Sequence, residues 1–121
     1  MSLISKSIRT FIGAKDFSIS RNFYKDLGYQ ESVISADLSY FNIYASLGFY
    51  LQNAYIEDWI NNSMIFVEVE HVTDYYNNIL KLDLATKYTG VRLLPIVEQT
   101  WGSEFFLHNP SGVLWHFGSF N

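Results

Sequence analysis

The order of predicted elements repeats once along this chain of 121 residues, and that repeat restricts the fold more than any single motif does. A strand at residues 8–14 precedes an amphipathic helical stretch, and three strand-like runs follow it. The same order begins again at residue 64, about 55 residues after the first. We therefore expect one α+β domain over residues 1–121, with βαβββ units at about 8–56 and 64–120.

Local signals place the ends of the first helix. Asp16 or Ser18 can cap its N-terminus with a side-chain oxygen, and Gly28 suits the position just beyond its last turn. The three runs that follow are residues 29–34, 40–45 and 47–53. Residues 57–63 are mostly polar, so we predict that they connect the two units.

The second unit ends in a predicted hairpin. Residues 109–112 (Asn-Pro-Ser-Gly) are typical of a tight turn, because Pro restricts φ, Asn and Ser bond nearby backbone, and Gly tolerates a positive φ. The flanking residues 104–108 and 113–117 are rich in aromatic and branched side chains. Residues 64–70 and 91–98 are expected to form the other strands of this unit.

Composition excludes several classes of function. The net charge of −4 argues against nucleic-acid binding, and the absence of cysteine excludes disulfides and thiol catalysis. The chain has no apolar run long enough to span a membrane and no secretion signal, so we expect a cytoplasmic protein without a membrane partner. Aromatic residues make up 18% of the chain, which fits a stacking pocket, a dimer interface or an aromatic core.

The C-terminal hairpin resembles that of the bleomycin-resistance proteins, which belong to the glyoxalase/bleomycin-resistance/dioxygenase (vicinal oxygen chelate) superfamily. The matching residues are Glu98, Gln99, Trp101, Gly102, Glu104, Phe105, Leu107, Pro110, Gly112, His116 and Phe117. Residues 16–29 (DFSISRNFYKDLGY) resemble a segment common to the superfamily. The resemblance implies a curled mixed sheet around a cleft, completed between the subunits of a homodimer. It also implies a bacterial antibiotic-resistance function in which the cleft sequesters a bleomycin-type drug.

Metal-dependent members of this superfamily hold a divalent ion with four residues, typically His, Glu, His and Glu. Carried over by position, these fall on Arg9, near Gln52, on Met64 and on His116. Arg9 is a permanently charged donor, and Met64 is a soft ligand that suits Cu(I). The one remaining histidine is too few for a catalytic zinc site. We therefore expect neither a metal nor another cofactor.

The candidate ligand site combines the resemblance with the alternation of side chains along strands. Family members use aromatic residues near the position of Trp101 to sandwich the flat part of the drug. Met64, Phe66 and Glu68 share the strand face opposite the one expected to pack on the helix. Glu68 favours a cationic ligand unless Arg9 pairs with it across the cleft. The full candidate set is Arg9, Tyr50, Gln52, Met64, Phe66, Glu68, Trp101, Gly102 and His116.

The sequence therefore favours a metal-free homodimeric binding protein that sequesters a small, flat, cationic molecule and performs no chemistry. The alternative is an enzyme of the same superfamily, acting as a lyase, isomerase or dioxygenase, with an altered or lost metal site. His116 or Glu68 would then serve as its acid or base. A third interpretation is an interaction or regulatory domain whose cleft is vestigial.

Overall fold

The computed structural model describes residues 2–121, which form two β-sheets and four helices around a shared apolar core. The first sheet has the spatial order β1-β4-β3-β2, with β1 parallel to β4 and the other pairs antiparallel. Its strands are β1 (Phe11–Gly13), β2 (Gln30–Ser35), β3 (Leu38–Tyr44) and β4 (Leu47–Gln52).

The second sheet has the order β5-β9-β8-β6, and β7 also pairs with β8. Its strands are β5 (Met64–Glu68), β6 (Arg92–Leu93), β7 (Val97–Glu98), β8 (Gly102–His108) and β9 (Leu114–Phe120). The helices are α1 (Phe17–Asp26), α2 (Glu57–Asn61), α3 (Val72–Leu82) and α4 (Leu84–Lys87). Among residues 2–121 no helix combines the length and hydrophobicity that crossing a membrane requires.

Helix α1 begins and ends where its local sequence predicts. The side chain of Asp16 accepts a hydrogen bond from the backbone nitrogen of Ile19 at 3.1 Å, so Asp16 rather than Ser18 is the N-cap. Gly28 has a φ of +100°, which the missing Cβ allows at the end of the helix. Both signals act within a few residues, which is why the sequence alone predicts the helix ends.

Two predicted strands differ in the structure, and the connection between the units contains a helix that the sequence does not predict. Residues 57–63 contain the short helix α2, because its Ile60 is completely buried in the core. The single strand predicted at 91–98 is two strands of two residues each, since Pro95 has no N–H to offer the ladder between them. The strand predicted at 8–14 is regular only from Phe11 to Gly13.

Tyr24 of α1 ties the two sheets together in the core. Its fully buried ring lies 4.9 Å from that of Phe49 in the first sheet and 5.7 Å from that of Trp115 in the second. The hydroxyl accepts hydrogen bonds from Nδ2 of Asn109 at 2.8 Å and Nε1 of Trp115 at 3.0 Å. Burial raises the pKa of Tyr24, so the hydroxyl stays neutral. Each sheet thus turns one face to this core and the other outward.

The carboxylate of Glu31 fastens α1 to the first sheet. It accepts hydrogen bonds from Nε and Nη2 of Arg21 at 2.5 and 3.1 Å and from Oγ of Ser39 at 2.7 Å. The bonds from Arg21 hold the pKa of Glu31 below its ordinary value, although burial of the carboxylate opposes them.

Glu31→Gln is expected to lower the free energy of unfolding at pH 7 by about 1–2 kcal/mol, since it removes charge-assisted hydrogen bonds. Because the folded-state pKa is lowered, this stabilisation is present above the unfolded pKa of about 4.3 and is lost as the pH falls through the folded value. Urea unfolding should therefore show that the free energy of unfolding falls more between pH 7 and pH 3 for the wild type than for Glu31→Gln. Glu57→Gln, which changes an exposed carboxylate in α2, is the matched control. The expectation would be contradicted if acid lowered the free energy of unfolding equally in the wild type and in Glu31→Gln.

Candidate ligand-binding site

The candidate residues lie on the outward faces of the two sheets and form two separate clusters. The tryptophan cluster, on the second sheet, consists of Phe66, Trp101, Glu104, Phe106, His116 and Phe120. The tyrosine cluster, on the first sheet, consists of Arg9, Phe11, Tyr40 and Tyr50. In residues 2–121 no ring contact or side-chain hydrogen bond joins one cluster to the other.

Three rings form an open aromatic surface in the tryptophan cluster. The ring of Trp101 lies 5.9 Å from that of Phe66 and 5.0 Å from that of Phe120. Phe66 and Phe120 are 5.9 Å apart and remain 45% and 58% exposed. The three rings are tilted against one another by 46° to 64°, and the exposed parts of Phe66 and Phe120 offer an apolar surface on which a flat ligand can pack.

Two glycines make room for this surface. A Cβ on Gly102 would lie 2.0 Å from the carbonyl oxygen of Ser119, so no larger residue fits beside Trp101 without a backbone shift. A Cβ on Gly118 would lie 3.0 Å from Cζ of Phe66, whose ring therefore rests against β9. Gly102 thus allows β8 and β9 to approach closely next to Trp101.

His116 is oriented by a nearly buried carboxylate. Its Nδ1 lies 3.1 Å from Oε1 of Glu104, which is 8% exposed, and Oε2 of Glu104 accepts a hydrogen bond from Nε2 of Gln99 at 3.2 Å. An ionised carboxylate only accepts, so Nδ1 carries a proton. Every buried side-chain nitrogen or oxygen within residues 2–121 has a hydrogen-bond partner. Nε2 of His116 has no such partner in the same residues, so it is not buried and reaches solvent. In the neutral ring this Nε2 can accept a hydrogen bond from a ligand.

The strand β5 presents Met64, Phe66 and Glu68 outward, as the alternation predicts. Ile65 and Val67 pack against the core on the other face. Glu68 has no ion pair or side-chain hydrogen bond with any residue that the structure describes. Its carboxylate therefore adds negative charge beside the tryptophan cluster.

The tyrosine cluster lies on β1, β3 and β4. The guanidinium carbon of Arg9 is 4.3 Å from the ring centre of Tyr40, and Nη1 donates to the hydroxyl of Tyr50 at 2.9 Å. Phe11 stacks on Tyr50 at 4.8 Å. Gln52 lies two residues further along β4, on the same face as Tyr50. Within residues 2–121 Arg9 and Glu68 form no ion pair.

Sequence reasoning missed five residues of the clusters: Phe11, Tyr40, Glu104, Phe106 and Phe120. Strand alternation would have placed Tyr40 and Phe106 outward, but their partners depend on register. The register puts Tyr40 opposite Tyr50 and Phe106 opposite His116. Glu104 belongs to the hairpin motif, which by itself assigns it no role.

The residues at the four metal positions do not fit a metal site. Arg9 is a cationic donor that bonds to Tyr50, and Met64 offers only a soft thioether sulfur. Among residues 2–121 no three His, Asp or Glu side chains lie close enough together to hold a metal ion. The donor set therefore offers one imidazole where the superfamily's metal sites use four ligands.

A groove of about 720 Å³ runs beside β5. Of the candidate residues, only Met64, Phe66 and Glu68 line this groove. The rest of its lining is mainly apolar and comes from both halves of the chain, including Ile8, Thr10, Ile43, Leu47, Phe49 and Val69. The groove and the tryptophan cluster thus meet at Phe66.

Solved structures share this architecture. A bleomycin-binding protein complexed with bleomycin is 15% identical, with a TM-score of 0.80 over 97% of this chain and 100% of that one. The bleomycin-binding protein of bleomycin-producing Streptomyces verticillus, complexed with copper(II)-bleomycin, is 18% identical, with a TM-score of 0.78 over 98% and 100%. A glyoxylase/bleomycin resistance protein/dioxygenase domain from Frankia sp. EAN1pec is 15% identical, with a TM-score of 0.73 over 99% and 100%.

The sequence itself matches no protein-family model and no curated protein. The structural similarity nevertheless covers nearly the whole of each chain. It confirms that the chain has the fold of the glyoxalase/bleomycin-resistance/dioxygenase superfamily, as the two sequence motifs implied.

Proposed function

We propose that this protein binds a small, flat, cationic molecule of the bleomycin type on the tryptophan cluster and sequesters it without chemistry. The observation that carries the proposal is the open surface formed by Trp101, Phe66 and Phe120, with ring centres 5.0–5.9 Å apart. The solved bleomycin-binding proteins of this fold, complexed with bleomycin or copper(II)-bleomycin, support a drug of that class.

The charges around this surface favour a cation. Glu68, which has no ion-pair partner within residues 2–121, lies at the edge of this surface. The net charge of −4 adds a weak attraction for cationic molecules at long range. Binding would protect a cytoplasmic target by lowering the concentration of free drug, and it requires no metal.

A homodimer is part of the proposal. Several large apolar side chains outside the tryptophan cluster are more than half exposed, and a second copy of the chain would cover them. They include Leu3, Ile4, Ile8, Val33, Ile34, Tyr44, Leu47 and Ile56. A partner subunit laid against the tryptophan cluster would also turn an open surface into a cleft.

Calorimetric titration with metal-free bleomycin tests this function. We expect saturable binding with one drug per subunit. Glu68→Gln should weaken it by about twofold to fivefold at low salt, since exposed charge pairs contribute little. The difference between wild type and Glu68→Gln should shrink in high salt.

Glu57→Gln removes the same charge away from the cluster and should leave the affinity unchanged. Absence of saturable binding by the wild type would overturn the bleomycin-type function. If Glu68→Gln binds the drug as well as the wild type or better, the attraction for a cationic ligand is wrong, although stacking on the tryptophan cluster would still stand.

A further inference from the structure

The first sheet carries a row of aromatic rings that the proposed function does not use. Phe11, Tyr50 and Tyr40 lie side by side across β1, β4 and β3, because the register pairs Tyr50 with both of the others. Neighbouring rings are 4.8 and 5.5 Å apart.

Gly48 gives Tyr40 the room to lean across the sheet. A Cβ at Gly48 would lie 2.1 Å from the hydroxyl oxygen of Tyr40, so the phenol occupies the space where a side chain of β4 would otherwise stand. This inclination places the ring of Tyr40 against the guanidinium of Arg9, 4.3 Å from its carbon.

Arg9 is oriented by this row but not neutralised. One of its five N–H donors is used by the hydroxyl of Tyr50 at 2.9 Å. No carboxylate in residues 2–121 lies within 4.0 Å of its nitrogens. A guanidinium stacked on one ring and hydrogen-bonded to another loses little further freedom when it binds, and its planar fork matches a carboxylate.

We propose that the tyrosine cluster is a recognition site for the carboxylate of a small aromatic acid. The Arg9 guanidinium donates two parallel hydrogen bonds to the carboxylate, and the rings of Phe11 and Tyr50 offer a stacking surface for the aromatic part. This site is opposite in charge to the surface around Glu68, so the two sheets select different chemical groups. The proposal does not depend on which molecule the tryptophan cluster binds.

The matched probes 2-naphthoate and 2-naphthamide test the site, because they share one ring system and differ in the charge of one group. Binding is followed by the fluorescence anisotropy of the naphthyl group. The wild type should bind the carboxylate about tenfold more tightly than the amide. Arg9→Gln should bring the ratio of the two affinities close to one, because it weakens the binding of the carboxylate only. Arg9→Lys should retain part of the preference, because a point charge replaces the planar guanidinium.

Two further variants distinguish a specific binding site from a general attraction by positive charge. Tyr50→Phe keeps the stacking ring but removes the acceptor that orients Nη1 of Arg9, so the ratio should fall several-fold while the affinity for the amide is unchanged. Lys6→Gln removes one positive charge from the same exposed N-terminal segment and should change nothing. The proposal is overturned if the wild type binds both probes equally, or if Lys6→Gln lowers the ratio as much as Arg9→Gln does.

Discussion

Trp101→Ala is expected to weaken the binding of metal-free bleomycin by about 1–3 kcal/mol, which is roughly 5-fold to 150-fold, while the fold stays intact. The indole contacts both Phe66 and Phe120, so its loss removes the centre of the stacking surface. The side chain is only partly buried and lies outside the shared core, which is why stability should change little. Trp101→Phe keeps a ring at the position and should retain most of the affinity.

Affinity and subunit mass need to be measured on the same sample, by calorimetric titration and by light scattering. The wild type should have about twice the 14.1 kDa mass of one chain. Trp59→Phe, at a half-buried tryptophan on α2, is the control and should leave both quantities unchanged. Unchanged affinity in an intact Trp101→Ala dimer would remove Trp101 from the site. A monomeric Trp101→Ala protein would identify this residue with the dimer interface instead.

Asn109→Ala is expected to lower the free energy of unfolding by about 3–4 kcal/mol. Asn109 is completely buried, and its Oδ1 accepts hydrogen bonds from the backbone nitrogens of Ser111, Gly112 and Val113 at 2.8–3.0 Å. Its Nδ2 donates to the hydroxyl of Tyr24 at 2.8 Å. Alanine would leave the backbone nitrogens of Ser111 and Val113 without an acceptor and would remove the bond to Tyr24, whereas that of Gly112 keeps the backbone oxygen of Asn109 at 3.1 Å.

Equilibrium unfolding in urea measures this loss. Asn53→Ala is the matched control, because Asn53 is more exposed and makes a single side-chain hydrogen bond, to Asp37 at 2.9 Å. It should cost less than about 1 kcal/mol. If the two alanine variants were equally destabilised, the network around Asn109 would not be what stabilises the hairpin.

Much of the architecture follows from the sequence because its signals act over a few residues. Asp16 caps the helix that directly follows it, and the turn at 109–112 is closed largely by its own first side chain. Alternation along a strand has an equally short range. It suffices to place Trp115 and Phe117 in the core and His116 on the outward face, where the three side chains lie.

Two features of the fold are absent from the sequence-based expectations, each for its own reason. The helix at residues 57–61 exists because Ile60 enters a core assembled from distant parts of the chain, and nothing in its polar neighbours predicts that. The interruption at Pro95 could have been predicted, since proline cannot donate to a ladder. It was missed because the surrounding residues are strong strand formers.

The sequence by itself determined which side chains of β5 point outward, and its resemblance to a known family supplied most of the other candidates for a site. Only the tertiary structure decided which of them meet. Arg9 lies over Tyr40 rather than beside Glu68, and Nδ1 of His116 bonds to Glu104. These contacts depend on the register between strands and on the separation of the two sheets. Both are set by the packing of the whole core around Tyr24, and local sequence carries no record of that packing.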